Sequence, residues 1–256
     1  MRMRGLIFLL VIPAIVTRSQ DQSARTVPVL IELFTSEGCS SCPPVDSWLQ
    51  QIDSSQPIPG VQAIVLSEHV DYWDHEGWKD PYSSSALTER QSIYARLFRL
   101  DSPYTPQLIM NGGTELHLND PHQVQTAIEK SATETMIPVH IGPMDAASPG
   151  SPSLRVHIEI DGQSMTHNAD VYAAIARDHA ESQVLHGENG GRRLKHTAVV
   201  QELRKIGKLE RQHNFNYDFD AKIPSGLEPR DIRLIVFVQE PGQGKILGAA
   251  MIRPGT

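Results

Sequence analysis

Val27-Pro28-Val29-Leu30-Ile31-Glu32-Leu33-Phe34-Thr35-Ser36-Glu37-Gly38-Cys39-Ser40-Ser41-Cys42-Pro43-Pro44 is the stretch from which the fold is read. Its first half, Val27 to Phe34, is a short and almost continuous apolar run, the pattern of a central strand covered on both faces. Its second half holds both cysteines of the chain, spaced C-x-x-C. Beyond them, Val45, Trp48, Leu49 and Ile52 recur at helical spacing. The cysteines therefore stand at a strand-to-helix junction.

Where that helix starts decides what the cysteines can do. If Cys39 caps it, the sulfur faces free N–H groups at the positive end of the helix dipole, which lowers a thiol pKa. Pro43 and Pro44 point the other way, because proline lacks an N–H and the residue before it avoids the α region. The helix then starts at Pro43 or Pro44, with Cys42 near the cap and Cys39 in the preceding loop. The sequence is compatible with both starts. In either, Cys39 is the candidate nucleophile and Cys42 the residue that resolves a mixed disulfide.

Upstream, Arg2 and Arg4 precede an apolar run from Leu6 to Val16, interrupted only by Pro13. That run is too short to cross a bilayer as a helix, which takes about 20 residues. Residues 1–24 are therefore predicted to be a signal peptide and leader. Export, to a periplasmic or secreted destination, implies an oxidising compartment in which two thiols so close tend to pair. No stable membrane insertion is expected once the signal is cleaved. The formal charge of −7 over 256 residues, with no basic stripe, excludes a nucleic-acid surface.

Downstream, Val61 to Leu66 reads as a second buried strand, and Ser67 to Pro81 as an ordered loop rich in aromatics and acids. Ser83 to Leu100 is a predicted helix, with Leu87, Ile93, Tyr94, Leu97 and Phe98 on one stripe. After Thr105-Pro106, a hairpin is predicted across Asn111-Gly112-Gly113. Asp120-Pro121 opens a last helix. Strands separated by helices predict an α/β domain over 25–135. From 136 to 256 the pattern changes to strand-like runs at Ile137–Ile141, Leu154–Ile160, Ala169–Ala176, His196–Leu203, Asp231–Gln239 and Lys245–Ile252, which predict a smaller β-rich, sandwich-like domain.

The order of elements, with C-x-x-C at the first junction and Thr105-Pro106 before the hairpin, resembles a thioredoxin fold. The resemblance implies a cis-proline facing the dithiol, at Pro106 with Thr105 before it, and a buried carboxyl group near the dithiol at Glu32. More narrowly, Glu32-Leu-Phe-Thr-Ser-Glu-Gly-Cys-Ser-Ser-Cys-Pro-Pro44, His69-Val-Asp-Tyr-Trp-Asp74, Gly77-Trp-Lys-Asp-Pro81, Thr105-Pro-Gln107 and Gly187-Glu-Asn-Gly-Gly-Arg192 resemble an exported bacterial thioredoxin-like family known as domain of unknown function 1223. This chain departs from thioredoxins in having Gly38 before the first cysteine and Ser40-Ser41 between the two.

The function expected is thiol-disulfide exchange by Cys39 and Cys42, with Thr105, Pro106 and Glu32 around them, on an unknown protein thiol or disulfide partner. The alternative is a non-catalytic binding module with a fixed disulfide, a bridge worth about 2 kcal/mol for so small a loop. A zinc site would need His69 and Asp71 to join the cysteines. A copper site would need His117 or His122 near Thr105-Pro106. Neither is favoured, and no cofactor motif is present. Trp73 and Trp78 are expected to plug the protein's own surface. The Gly187–Arg193 stretch is expected to be a solvated connection, with Arg192 or Arg193 bound to Glu188.

Overall fold

The computed structural model describes residues 26–116, 121–143, 145–146 and 153–254. The predicted signal peptide falls outside them. β1 (Val27–Thr35), α1 (Pro43–Ser55) and β2 (Val61–His69) open the described chain, followed by α2 (Ser85–Leu97), β3 (Gln107–Met110), β4 (Thr114–Leu116) and α3 (Pro121–Ser131). Eight further strands follow: β5 (Val139–Ile141), β6 (Asp145–Ala146), β7 (Ser153–Ile160), β8 (Ala169–Gln183), β9 (Arg193–Leu209), β10 (Phe215–Lys222), β11 (Ile232–Gln239) and β12 (Ile246–Ile252).

These elements do not make the expected thioredoxin-like α/β domain with a β-rich domain after it. Eight strands from both halves of the chain form one mixed sheet in the order β12-β11-β8-β9-β2-β1-β3-β4. Only three α-helices are present among the described residues. The fold is mainly β. The expectation failed at one strand edge. β2 pairs in parallel with β1 on one side, and on the other it meets β9 in parallel at Ser67↔Val199. Hydrophobic periodicity reports which faces of a strand are buried, not which distant strand takes its open edge.

The burial pattern explains why the sheet is stable at that width. All eight residues of β11 are buried. Ile235 and Phe237 join a core shared with Leu49 and Ile52 of α1, Leu87 of α2 and Ile128 of α3. Leu234, Val236 and Val238 join a second core with Val156 and Ile158 of β7 and Phe219 of β10. Helices thus cover one face of this strand, and a second sheet, β10-β7-β5 with β6 on β7, covers the other. A continuous apolar run is what two covered faces require. β7 is covered on one face only, and its burial alternates residue by residue.

The ends of the large sheet are drawn together. The Ile246 N–H donates to the Asn111 carbonyl (2.8 Å), so the start of β12 meets the turn between β3 and β4. Gly112 in that turn has φ +63, and a Cβ there would lie 2.5 Å from the Gly244 carbonyl oxygen. The predicted Asn-Gly-Gly turn is therefore needed twice, for its backbone and for this close approach.

α2 differs from its predicted stripe. Its buried face is Leu87, Arg90, Gln91, Tyr94 and Ala95, while Leu97 is exposed. The helix lies against a buried polar network rather than an apolar groove.

Candidate functional site

β1 ends at Thr35 and the chain turns sharply. The Cys39 N–H donates to the Ser36 carbonyl (3.2 Å) and the Cys42 N–H to the Cys39 carbonyl (3.2 Å). Cys39 and Cys42 are joined in a disulfide. Both are almost fully buried, at 1% and 0% exposure, whereas Ser40 and Ser41 between them are exposed. The Cys39 Sγ lies 3.3 Å from the Ser41 Oγ.

The helix begins at Pro43, with Cys42 as its N-cap. Pro43 and Pro44 have no N–H, and the N–H groups of Val45 and Asp46 both donate to the Cys42 carbonyl (2.9 and 3.0 Å). The first turn therefore has no free donor to offer a thiolate at Cys39. Of the two helix starts left open by the sequence, the one with Cys39 in the preceding turn is adopted.

The turn is gripped by a loop from the other half of the chain. The Asn189 side-chain amide donates to the carbonyls of both Glu37 and Cys39 (2.9 Å each), and Asn189 is fully buried. Glu188 accepts from the Ser40 N–H (3.0 Å), and the Ser40 hydroxyl together with that N–H lowers its pKa. Arg192 bonds the Asn189 Oδ1 and Arg193 pairs with Glu181. The glycine-rich stretch is thus a clamp on the cysteine turn rather than a solvated connection. Gly187, at φ +74, packs against Trp78 and the Glu76 carbonyl, where a Cβ would come within 3.2 Å of both.

The two tryptophans bind the same turn. Trp78 Nε1 donates to Glu37 Oε2 (2.8 Å) and Trp73 Nε1 to Thr105 Oγ1 (2.8 Å). A Cβ at Gly38 would stand 3.0 Å from the Trp73 Cβ, so glycine at that position admits the indole. Through Trp73 the structure brings Thr105 and Pro106, joined by a cis peptide bond, to the same end of the sheet as the cysteines.

Glu32 is not part of this group. It bonds Arg90 Nε (2.6 Å) and the Tyr94 hydroxyl (2.7 Å) in a separate buried network with Glu68 and Gln239. Burial, and then the neighbouring Glu32, push the Glu68 carboxyl well above the usual carboxylate range.

What the sequence did not reveal is a set of buried ionisable groups around the turn. Glu37, Asp46, His69, Asp80 and His196 are all nine-tenths buried or more. His196 of β9 lies 3.3 Å from Glu37 and 3.7 Å from Asp46, and its ring meets that of His69 edge-to-face at 4.7 Å. Burial disfavours a charge on His196, but Asp46 and Glu37 outweigh it and raise its pKa to about 10. His69 Nδ1 and Asp80 Oδ2 are 2.7 Å apart, and Asp80 also accepts the Glu37 N–H (2.8 Å). Burial would raise the Asp80 pKa, but His69 and the N–H groups of Glu37 and Tyr82 hold it below its usual value.

Several atoms of this set have no hydrogen-bond partner among the described residues: Glu37 Oε1, Asp46 Oδ1, His69 Nε2 and both His196 nitrogens. The contacts of His196 are close enough for ion pairing but lack hydrogen-bond alignment. A lone histidine in an apolar strand run gave no signal of this; Glu37 and Asp46, flanking the C-x-x-C, were the available clue.

His69 and Asp71, considered for a metal, are bound to other partners. His69 turns to Asp80, and Asp71 accepts from the Thr88 hydroxyl (2.6 Å). His117 and the side chain of His122 fall outside the described residues. Among the described residues no three or more His, Cys, Asp or Glu are grouped so as to hold a metal ion, and no helix is long and apolar enough to cross a membrane.

A mainly β protein with a wide mixed sheet and a disulfide at its first strand–helix turn is the class these features define. The chain belongs to the family described as "Protein of unknown function (DUF1223)", whose model matches residues 30–239. It is similar to the crystal structure of protein AGR_C_4864 from Agrobacterium tumefaciens, with a TM-score of 0.68 and 24% identity over 90% of this chain and 96% of that one. At that identity the likeness speaks for the fold alone. A Bifidobacterium adolescentis GH3 β-glucosidase gives a TM-score of 0.21 at 14% identity, over 46% of this chain and 17% of that one, and bears on neither fold nor function. No curated protein matches the chain.

Proposed function

We propose that Cys39 and Cys42 are a redox pair exchanging with a dithiol or disulfide on another protein, in a chain exported behind the signal-like residues 1–24. The observation that carries this reading is the company the disulfide keeps. It sits beside buried acid–base groups with unsatisfied atoms, Glu37, Asp46 and His196, and buried groups left unpaired are costly to maintain around an inert bridge.

The exchange balances as follows. A partner thiolate attacks Cys39 Sγ, next to the open Ser40-Ser41 segment, and the Cys39–Cys42 bond breaks. Cys42 leaves as a thiolate and takes up one proton. The partner's second thiolate attacks its own sulfur in the mixed disulfide, and Cys39 leaves and takes up the second proton. Two electrons and two protons pass from the partner dithiol to the pair, and the partner keeps the new disulfide. Asp46 stands in the first turn of the helix that Cys42 caps, and His196 against it carries a proton at neutral pH.

A second reading, a binding module with a fixed bridge, is favoured by two observations: both sulfurs are shielded, and the helix start offers no free donor. Cys42→Ser separates the two. The redox reading expects folded Cys42→Ser to form a mixed disulfide at Cys39 with glutathione disulfide, seen as the added mass of one glutathione. A folded variant whose Cys39 stays unmodified until denaturant is added would support the fixed bridge.

A further inference from the structure

The opposite end of β1 and β3 from the cysteines holds a cavity of about 530 Å³ between the β3–β4 turn, α3 and the start of β12. Its volume falls within the range of small-molecule sites, about 300–1,000 Å³. The charged groups on its wall are mostly cationic. Lys130 of α3 and Lys245 stand at it, and neither ammonium has an ion-pair partner among the described residues. The hydroxyls of Thr114, Thr126 and Ser131 add to them, against one acid, Glu134.

Two buried members are poorly satisfied. Asn111, 5% exposed, accepts the Leu30 N–H on Oδ1 (2.8 Å), and its Nδ2 has no partner among the described residues. Ser131, 6% exposed, directs its hydroxyl at the Met110 sulfur (3.6 Å), a weak acceptor. Gly113 contributes by lacking a side chain: a Cβ there would lie 3.1 Å from Lys245 Cγ, so the lysine stem lies along the turn backbone.

We infer that this cavity binds a small organic anion, its acidic head between Lys130 and Lys245 and its apolar body against Met110 and Ala127. Two ammonium groups against one carboxyl group favour negative charge, and the hydroxyls can donate to it. The volume and the apolar part of the wall favour an organic body over a bare inorganic ion. The site lies away from the cysteines and does not depend on their being redox-active.

Calorimetric titration of the full chain with pentanoate, pentylammonium and inorganic phosphate tests this. Saturable binding of pentanoate is expected, with pentylammonium silent and phosphate at least fivefold weaker. Lys245→Ala and Lys130→Ala should each weaken pentanoate at least fivefold, with the denaturation midpoint unmoved because both side chains are exposed. Lys208→Ala should change nothing, and Cys39→Ser should keep full affinity. The proposal is overturned if pentylammonium binds as well as pentanoate, if no probe saturates, if neither lysine variant weakens binding, or if phosphate binds as tightly as pentanoate.

Discussion

Two buried polar clusters tie the later strands of the large sheet to the start of the chain, and they are built on opposite principles. In one, Arg233 of β11, fully buried, reaches both oxygens of Asp53 at the end of α1 (2.7 and 2.8 Å) and pairs with Asp178 of β8. Thr197 and Arg253 complete the set, and none of these side chains has an unpaired buried atom. Arg233 outweighs burial and holds the Asp53 pKa below its usual value. In the other, Glu37, Asp46 and His196 sit within ion-pairing range around the cysteine turn but leave four atoms without hydrogen bonds. The guanidinium fork of Arg233 satisfies two carboxylates at once, whereas the two nitrogens of His196 come within ion-pairing range of one carboxyl group each without hydrogen-bonding either. The first cluster fastens the fold. The second leaves hydrogen-bonding capacity unused beside the disulfide.

The contrast breaks most directly at Arg233. Arg233→Met strands Asp53 and Asp178 with one arginine, Arg253, between them. A loss of about 3–5 kcal/mol is expected in urea denaturation, and a loss under 1 kcal/mol would mean the network is not what holds α1 to the sheet. Asn189→Ala comes next. It removes two hydrogen bonds to buried carbonyls, and about 2 kcal/mol is expected to go with them. The same variant should make the disulfide easier to reduce, because the turn loses its clamp. A stability loss with unchanged reduction would assign Asn189 to folding alone.

The smallest effect, taken per pH unit, is a slope. The folded-state pKa of His196, about 10, lies above its unfolded value near 6.5. Its contribution is therefore complete below pH 6.5 and is lost as pH rises toward 10. Over that window stability should fall more steeply in the native protein than in His196→Gln, by at most about 1.4 kcal/mol per pH unit. Parallel curves for the two proteins would show that His196 does not hold its proton. Arg233→Met should leave this slope in place, which separates the clusters.

Much of the local structure was legible in the sequence. The apolar run to Phe34 is β1, and Asn111-Gly112-Gly113 makes its turn, while the start of α1 at Pro43 is one of the two that the sequence left open. Those features depend on neighbours in the chain. β10 was missed because only Phe219 and Ala221 of it are buried, too few to mark a strand period. The junction of β2 with β9 depends on a strand about 130 residues away, and no local pattern records it. The site divides the same way. The Cys39–Cys42 pair was singled out by its spacing and Thr105-Pro106 by the resemblance to a thioredoxin fold, while Asn189 and His196 act on the turn only through that long-range pairing. Glu32 was misplaced for the same reason: Arg90 and Gln239, which claim it and its neighbours, come from elements whose packing the sequence does not show.

The reduction potential of Cys39–Cys42 in the folded protein, measured by equilibration in dithiol–disulfide buffers with alkylation to trap the thiols, bears most directly on whether the pair exchanges. A redox pair with no helix donors at Cys39 should be a reducing one, with a midpoint between about −300 and −200 mV and native spectra in both states. A midpoint below about −300 mV, or reduction seen only on unfolding, would contradict it and leave the bridge as a fixed part of the turn.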